Sequence, residues 1–595
     1  NVVFDSSLPS GSPTPQALGL AVQALADAAR SGDGMCRDLS TAASARHAEA
    51  AVEREPPFPW TPAALAVLVF AALGLAARRA SRKLPEAWKE RIFWAAVLLF
   101  TAAGAALRLA DLSSPFCESS FTQRVELAES PLWQILTYQV LDGRHPPMTA
   151  LLLHLTLPLG RSEWAVRLPF VIAACLSLPL VALLGRRIEG RLAGAAACLA
   201  CALLQPLVTL GHQASSHALL FALAPCMLLS LLWMLEKPEW LPCLALAAAN
   251  TALLWTNYLA AFLVGPQLVL LMWSGSRIWM ARALAIAGVL GALPLYRMIR
   301  GLVQDAAGRA VSERAPEVVW GDATVGQVLA EAVAMAGTPF SVACALLGVA
   351  GAILLILEGR GAAGRGFAVV LSASAWLVPL AVLALTPFAR MKGRYMHDVL
   401  PLLVLLAVMG AVIGARRLTE RFAPRRPLVG AAAAWGAAFL LAAMAAWPAY
   451  RDGPRALAYS EQTCSYDEAA RIIAQSDVRT AILLYGHSRT LVGYYLGGSG
   501  EPLEDRTGLE SWRYGGTTLR TLCRFRELGP DWQAEAEARL ELLTSREPAW
   551  IVDVTHVEHT WPALEQAGRC RVHAALDGLR LLLCGQAGGG GTVSR

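Results

Sequence analysis

Long apolar runs, separated by short polar loops, dominate the chain between about residues 61 and 447. Each is near the roughly twenty residues that a helix needs to cross the hydrocarbon core of a bilayer. Inside that core the backbone must satisfy its own hydrogen bonds, so the runs read as helices. They fall at 61–78, 91–110, 164–185, 191–211, 217–235, 240–256, 258–273, 280–299, 331–357, 366–386, 396–415 and 428–447. Composition agrees: 55% of residues are hydrophobic and 16% are charged, whereas soluble domains carry roughly a quarter charged residues. The expected fold is a polytopic α-helical membrane protein with about twelve transmembrane helices.

Charge sets the orientation. The loop between the first two runs contains Arg78, Arg79, Arg82, Lys83, Lys89 and Arg91, and so short and basic a loop stays in the cytoplasm. Alternating sides from there places GRRIEGR (185–191), SGSRIWMAR (274–282), EGRGAAGRG (358–366) and ARRLTERFAPRRP (415–427) in the cytoplasm too. Both termini then lie outside, and the Ala-rich composition and short loops point to a bacterial inner membrane. The net charge of +6 is spread over these loops without a long basic run, which argues against a nucleic-acid partner. The segment 146–160 is apolar but short, with prolines near both ends, and reads as a helix lying on or dipping into the outer face. The first outer loop therefore runs from 111 to 163, long enough to be expected to carry function.

Residues 1–60 read as an extracytoplasmic segment rich in Ala, Ser and Pro. The chain starts at Asn1, which fits either removal of a signal segment or a fragment. After the membrane region (61–447) the composition changes, and 448–585 reads as an extracytoplasmic soluble α/β domain ahead of a flexible tail, 586–595. Helices are expected at 465–476 and 531–545, and strands at RTAILLY, AWIVDV, RVHAAL and LRLLLC. Of the twelve cysteines, Cys464, Cys523, Cys570 and Cys584 fall in this domain, and Cys570 with Cys584 is the preferred disulfide because the two flank a hairpin. Cys198 and Cys201 form a mid-membrane CxxC with no second pair, too few ligands for a structural metal site.

The order of motifs then becomes specific. A span ending LRLADL leads to SPFCESSF, an amphipathic SPLWQIL, HPPMTALLLHL, and the run GRSEWAVRLPF. A late span opens with GRYMHDVLPLL. Across roughly residues 90–420 this resembles the GT-C superfamily of lipid-linked-sugar glycosyltransferases, particularly the branch of protein O-mannosyltransferases and aminoarabinose transferases. The positions that carry the resemblance are Cys117–Glu118, His145–Pro146–Pro147, Glu163–Arg167–Leu168–Pro169 and Arg394–Tyr395 with Pro401. It implies transfer of a sugar from a polyprenyl-phosphate carrier to an acceptor hydroxyl, the acceptor being a glycan, lipid or protein. A first-loop carboxylate serves as base, with Glu118 and Asp111 the candidates, while His145, Arg167, Lys392, Arg394 and Tyr395 hold the donor phosphate. The physical logic agrees with this. A carboxylate at a desolvating surface gains basicity, and a leaving phosphate needs a cationic cradle.

Two departures matter. The family's acidic pair leads with Asp where this chain has Cys117, so Glu118 acts as base, Asp111 stands in, or the enzyme is impaired. The turn GHQASSHAL (211–219) carries Ser215, Ser216 and His217 in place of an Arg-Pro-Tyr-like element. Each residue also has a plainer reading: Glu118 as a solvated carboxylate, His145 as a neutral helix cap, Arg167 as a snorkelling cation. No nucleotide-binding glycine motif is present, so the activated sugar supplies the energy; no cofactor is implied, and a metal stays open but is not favoured, because the loop lacks an obvious carboxylate cluster. Two other functional classes stay open, a transporter or flippase of a lipid-linked substrate and a catalytically degenerate GT-C binding protein.

Overall fold

A computed structural model describes residues 85–110, 112–116, 119–137, 146–273, 276–296, 299–300, 324–359, 361–386, 393–422, 427–452, 465–497, 500–503, 510–514, 516–523, 540, 543–544, 548–553, 570–576 and 579–584. The expected first span (61–78), the N-terminal segment, most of the loop 300–330, the helix at 531–545 apart from isolated positions, and the tail lie outside the described residues.

Six helices among the described residues are long and apolar enough to cross a membrane, and the chain is an integral membrane protein. We label α1 (Glu86–Leu109), α4 (Glu163–Glu189), α7 (Ser216–Glu236), α11 (Thr338–Glu358), α12 (Gly361–Leu385) and α13 (Leu400–Phe422), the last continuing a 3-10 segment, Gly393–Val399. Between α1 and α4 lie α2 (Ser119–Ala128) and α3 (Met148–Thr156). Helices α5 (Arg191–Leu203) and α6 (Gln205–His212) make a seventh crossing if taken as one bent pair. Further helices of this part are α8 (Trp240–Thr256), α9 (Arg277–Leu290), α10 (Val325–Ala336) and α14 (Pro427–Asp452), beside short ones at Leu132–Thr137, Ala261–Val264 and Val269–Trp273.

Among the described residues, four expected single spans are interrupted. The run 258–273 forms only short α and 3-10 pieces, Tyr258–Ala260, Ala261–Val264, Gly265–Leu268 and Val269–Trp273, and the helix covering 280–299 ends at Leu290 with a turn at Gly291. The run 191–211 bends by 61° at Leu204. Pro206 has no N–H to offer the carbonyl four residues back, at Ala202, and its ring favours a helix start rather than an interior. Arg108 of α1, 1% exposed, takes up the slack: its guanidinium donates to the carbonyls of Ala202 (3.3 Å), Cys201 (3.1 Å) and Gly104 (2.9 Å). The run 331–357 is interrupted at Gly337, with Pro339 in the first turn of α11. The expected short helix within 146–160 forms as α3 and a single 3-10 turn, closed at Gly160.

Helix α13 is the central post of the bundle, with nearly every residue from Leu400 to Ile413 buried. It meets α11 backbone to backbone: a Cβ on Gly351 would lie 2.0 Å from the Leu406 carbonyl, and one on Gly410 would lie 2.1 Å from that of Leu347. Small residues permit this approach where lipid gives no hydrophobic drive for helices to associate.

Beyond residue 464 the described residues build a seven-stranded sheet in the order β2-β3-β4-β1-β5-β7-β6. The strands are β1 (Thr480–Tyr485), β2 (Glu501–Leu503), β3 (Glu510–Tyr514), β4 (Thr517–Cys523), β5 (Ala549–Asp553), β6 (Cys570–Leu576) and β7 (Leu579–Cys584). β1 runs parallel to β4 and β5, and the outer pairs are antiparallel. Parallel strands are covered on both faces, and Ala481, Ile482 and Leu483 of β1 are fully buried. Helix α15 (Tyr466–Gln475) buries Tyr466, Ala469, Ala470 and Ile473, one face of a 3.6-residue repeat. Helix α16 (Gly486–Leu496) follows β1. Cys570 and Cys584 face each other across β6 and β7 and form a disulfide. The sheet's core is continuous with the membrane part: Trp550, Leu491 and Tyr514 share a cluster with Phe116, Phe121, Val125, Phe170 and Ala218.

Candidate functional site

The described residues of the loop between α1 and α4 are anchored from two sides. In α2, Phe121, Val125 and Ala128 recur at helical spacing and turn inward. Arg124 on the same helix donates to the Ala214 carbonyl at 2.9 Å. Ahead of α2, the irregular stretch 112–116 is held by Arg167 of α4. The Arg167 guanidinium is 5% exposed, donates to the carbonyls of Leu112 (2.6 Å) and Ser114 (2.5 Å), and covers the Phe116 ring at 4.6 Å. Arg167 thus faces inward onto the loop rather than snorkelling out. Asp111, Cys117, Glu118, His145 and Lys392 lie outside the described residues.

Arg394 and Tyr395 sit side by side, half-buried, on the 3-10 segment that leads into α13. Short i→i+3 turns extend poorly, so such a segment depends on outside contacts. Glu331 of α10 accepts from the Gly393 N–H at 2.7 Å, and His397 Nε2 lies 3.1 Å from the Ala332 carbonyl. Gly393 is required there, because a Cβ would fall 2.5 Å from Ala332 N. Asp398, 1% exposed, ties the segment to two further elements: His217 Nδ1 donates to one carboxylate oxygen at 2.5 Å and Asn257 Nδ2 to the other at 3.0 Å. The Tyr395 ring lies 5.8 Å from that of His217.

The turn 213–217 bridges the two regions, since the Ala214 carbonyl accepts from Arg124 of α2 and His217 donates to Asp398 of the 3-10 segment. His217 is therefore committed to a buried carboxylate. Sequence reasoning noticed His217 but missed Asp398 and Asn257. A lone acid within an apolar opening, MHDVLPLL, was the available signal, because ionisable groups at membrane depth are expensive and need partners.

Helix α16 supplies the remaining groups. The Tyr495 hydroxyl accepts the Phe116 N–H at 2.6 Å, and the Tyr494 ring stands edge-on to Phe116 at 5.5 Å while its hydroxyl donates to the Arg161 carbonyl. Arg161 in turn pairs with Glu129. Arg489 donates to the Tyr514 hydroxyl at 2.7 Å and lies 4.1 Å over the Trp512 ring, while Tyr514 donates to Glu126 of α2 at 3.1 Å. Burial raises the Glu126 carboxyl above the usual range, and Arg489 and Tyr514 offset that only in part. Burial also pushes the hydroxyls of Tyr494, Tyr495 and Tyr514 well up, so all three keep their protons at any working pH.

Residues 144–299 match the family model of dolichyl-phosphate-mannose-protein mannosyltransferases. Through this segment the chain resembles a GT-C glycosyltransferase. The matched stretch includes α3 to α9 and with them Arg167, the turn 213–217 and Asn257. No curated protein sequence matches. Among solved structures, ArnT from Cupriavidus metallidurans in the apo state aligns at a TM-score of 0.47 and 16% identity, covering 82% of this chain and 98% of its own. The same protein bound to undecaprenyl phosphate aligns at 0.48 and 15%, with the same coverage. The archaeal oligosaccharyltransferase AglB from Archaeoglobus fulgidus, in complex with an inhibitory peptide and a dolichol-phosphate, aligns at 0.43 and 10%, covering 79% of this chain and 70% of its own.

Proposed function

We propose that this chain is a membrane glycosyltransferase that moves a sugar from a polyprenyl-phosphate carrier to an acceptor hydroxyl at the extracytoplasmic face. The observation that carries the reading is the family match over residues 144–299. In the reaction a first-loop carboxylate, Glu118 or Asp111, takes the acceptor proton as the oxygen attacks the anomeric carbon. The carbon–oxygen bond to phosphate breaks in the same displacement, its electron pair leaves with polyprenyl phosphate, and configuration inverts. Arg394, Lys392, Tyr395, His145 and Arg167 would offset the charge that develops on the leaving phosphate. The preorganised 3-10 segment supports such a role for Arg394 and Tyr395, because groups already held in place need no reorganisation during the reaction. Energy comes from the activated sugar, without a metal or other cofactor.

The same reading places twelve crossings in a bacterial inner membrane, both termini outside, and the sheet beyond residue 464 above the outer face. The test is release of polyprenyl phosphate from a panel of polyprenyl-phosphate sugars by wild type, Glu118→Gln and Asp111→Asn in lipid. Loss confined to Glu118→Gln, on the order of 10²-fold or more as for removal of a general base, is expected. Equal release by wild type and both variants would sink the assignment of a first-loop base.

A further inference from the structure

The stretch 112–116 belongs to no helix or strand, and Phe116 within it is fully buried. Buried backbone groups without a ladder need partners elsewhere. Here they come from opposite sides. Arg167 of the membrane part takes the carbonyls of Leu112 and Ser114, and Tyr495 of the soluble part takes the N–H of Phe116. The Phe116 ring is enclosed in the same way by the Arg167 guanidinium at 4.6 Å, Tyr494 at 5.5 Å and Phe121 at 5.8 Å. Tyr494 fixes α16 to the membrane part a second time through the Arg161 carbonyl. Glu118 follows Phe116 by two residues.

We propose that the soluble sheet works through α16 as a clamp on the first outer loop, with Tyr495 a positioning residue that holds the backbone leading into Glu118. The proposal rests on the transferase reading, in which Glu118 is the base. A displacement of about an ångström at a reacting group can cost on the order of 10²-fold in rate, and the Tyr495 hydroxyl is the soluble part's hydrogen bond to the backbone two residues before Glu118. Tyr495 touches no reacting atom in this scheme. Its loss should therefore lower the rate of the bound complex while leaving donor affinity in place.

The experiment combines hydrogen exchange with kinetics on the full chain in lipid, comparing wild type, Tyr495→Phe, Glu118→Gln and the double variant. Tyr495→Phe keeps the ring and removes the hydroxyl, and with it the acceptor for Phe116 N–H and the side-chain hydrogen bond to Glu163. Amides in the peptide covering Phe116 should exchange faster while the thermal midpoint of the protein stays near wild type. The rate constant kcat for polyprenyl phosphate release should fall roughly tenfold at a KM within about twofold of wild type. In the Glu118→Gln background the same substitution should cost nothing further. Exchange unchanged by Tyr495→Phe overturns the clamp, and faster exchange with kcat unchanged overturns the positioning role. A loss expressed only in KM overturns it as well. Faster exchange in Tyr495→Phe, with wild type releasing polyprenyl phosphate from no donor, defeats the transferase reading while the clamp stands.

Discussion

Glu126 is a carboxylate placed where its charge is unwelcome. It is held against Tyr514 and 4.0 Å from Arg489, and burial is the largest influence on its titration. The folded protein keeps this proton to a higher pH than the unfolded chain, whose glutamate titrates near 4.5. Between that pH and the raised folded value the native state binds more protons, so stability falls as pH rises. The contribution is fully present below the ordinary carboxylate range and is lost on passing through the folded value. Glu126→Gln should flatten this slope: thermal midpoints of wild type should drop relative to the variant from mildly acidic towards neutral pH. Parallel curves would contradict the assignment. At this scale the sequence was informative about type and poor about partnership. Arg394 and Tyr395 could be picked out because they are adjacent, and Arg167 because it stands in a recognisable run. The pair His217–Asp398 spans 181 positions and Asn257–Asp398 spans 141, and no local pattern connects residues so far apart.

Among the helices, hydropathy found the runs that became α1, α4, α7, α12 and α13, because burial in lipid demands apolar residues whatever the packing. It missed the breaks at Leu204 and Gly337, where a single proline or glycine overrides an unbroken apolar count. The first break has a consequence for Arg108, which satisfies the Ala202 carbonyl that Pro206 leaves without a helical partner and also takes the Cys201 carbonyl. Arg108→Met should destabilise the bundle by about 1–3 kcal/mol for each carbonyl left bare, read as a lower thermal midpoint in lipid. Adding Pro206→Ala restores an N–H for Ala202 and should recover part of that loss. A midpoint unaffected by Arg108→Met, or a double variant no better than the single one, would contradict this account of the kink.

On the scale of the whole molecule, the sheet beyond residue 464 and the outer loop share one buried cluster rather than meeting at a thin seam. The strands at 480–485, 549–553, 570–576 and 579–584 lie where their apolar runs predicted, whereas nothing in those runs announced what the sheet packs against. Surfaces between distant parts of a chain are built from residues that look ordinary one at a time, as Tyr494, Tyr495 and Arg489 do. The result is a membrane bundle in which the 3-10 segment Gly393–Val399 and the stretch 112–116 are both braced by groups far away in sequence. A transferase has use for that rigidity at two points at once, the leaving phosphate and the attacking oxygen. A flippase instead must let its substrate-bearing elements rock between two states.

The decisive measurement follows the donor itself. Proteoliposomes containing the wild-type protein would be given polyprenyl-phosphate sugar with an accessible acceptor, and the lipids extracted and identified by mass spectrometry over time. Free polyprenyl phosphate and glycosylated acceptor should accumulate together and in equal amounts. Donor that stays intact while it moves from one leaflet to the other would contradict the transferase reading.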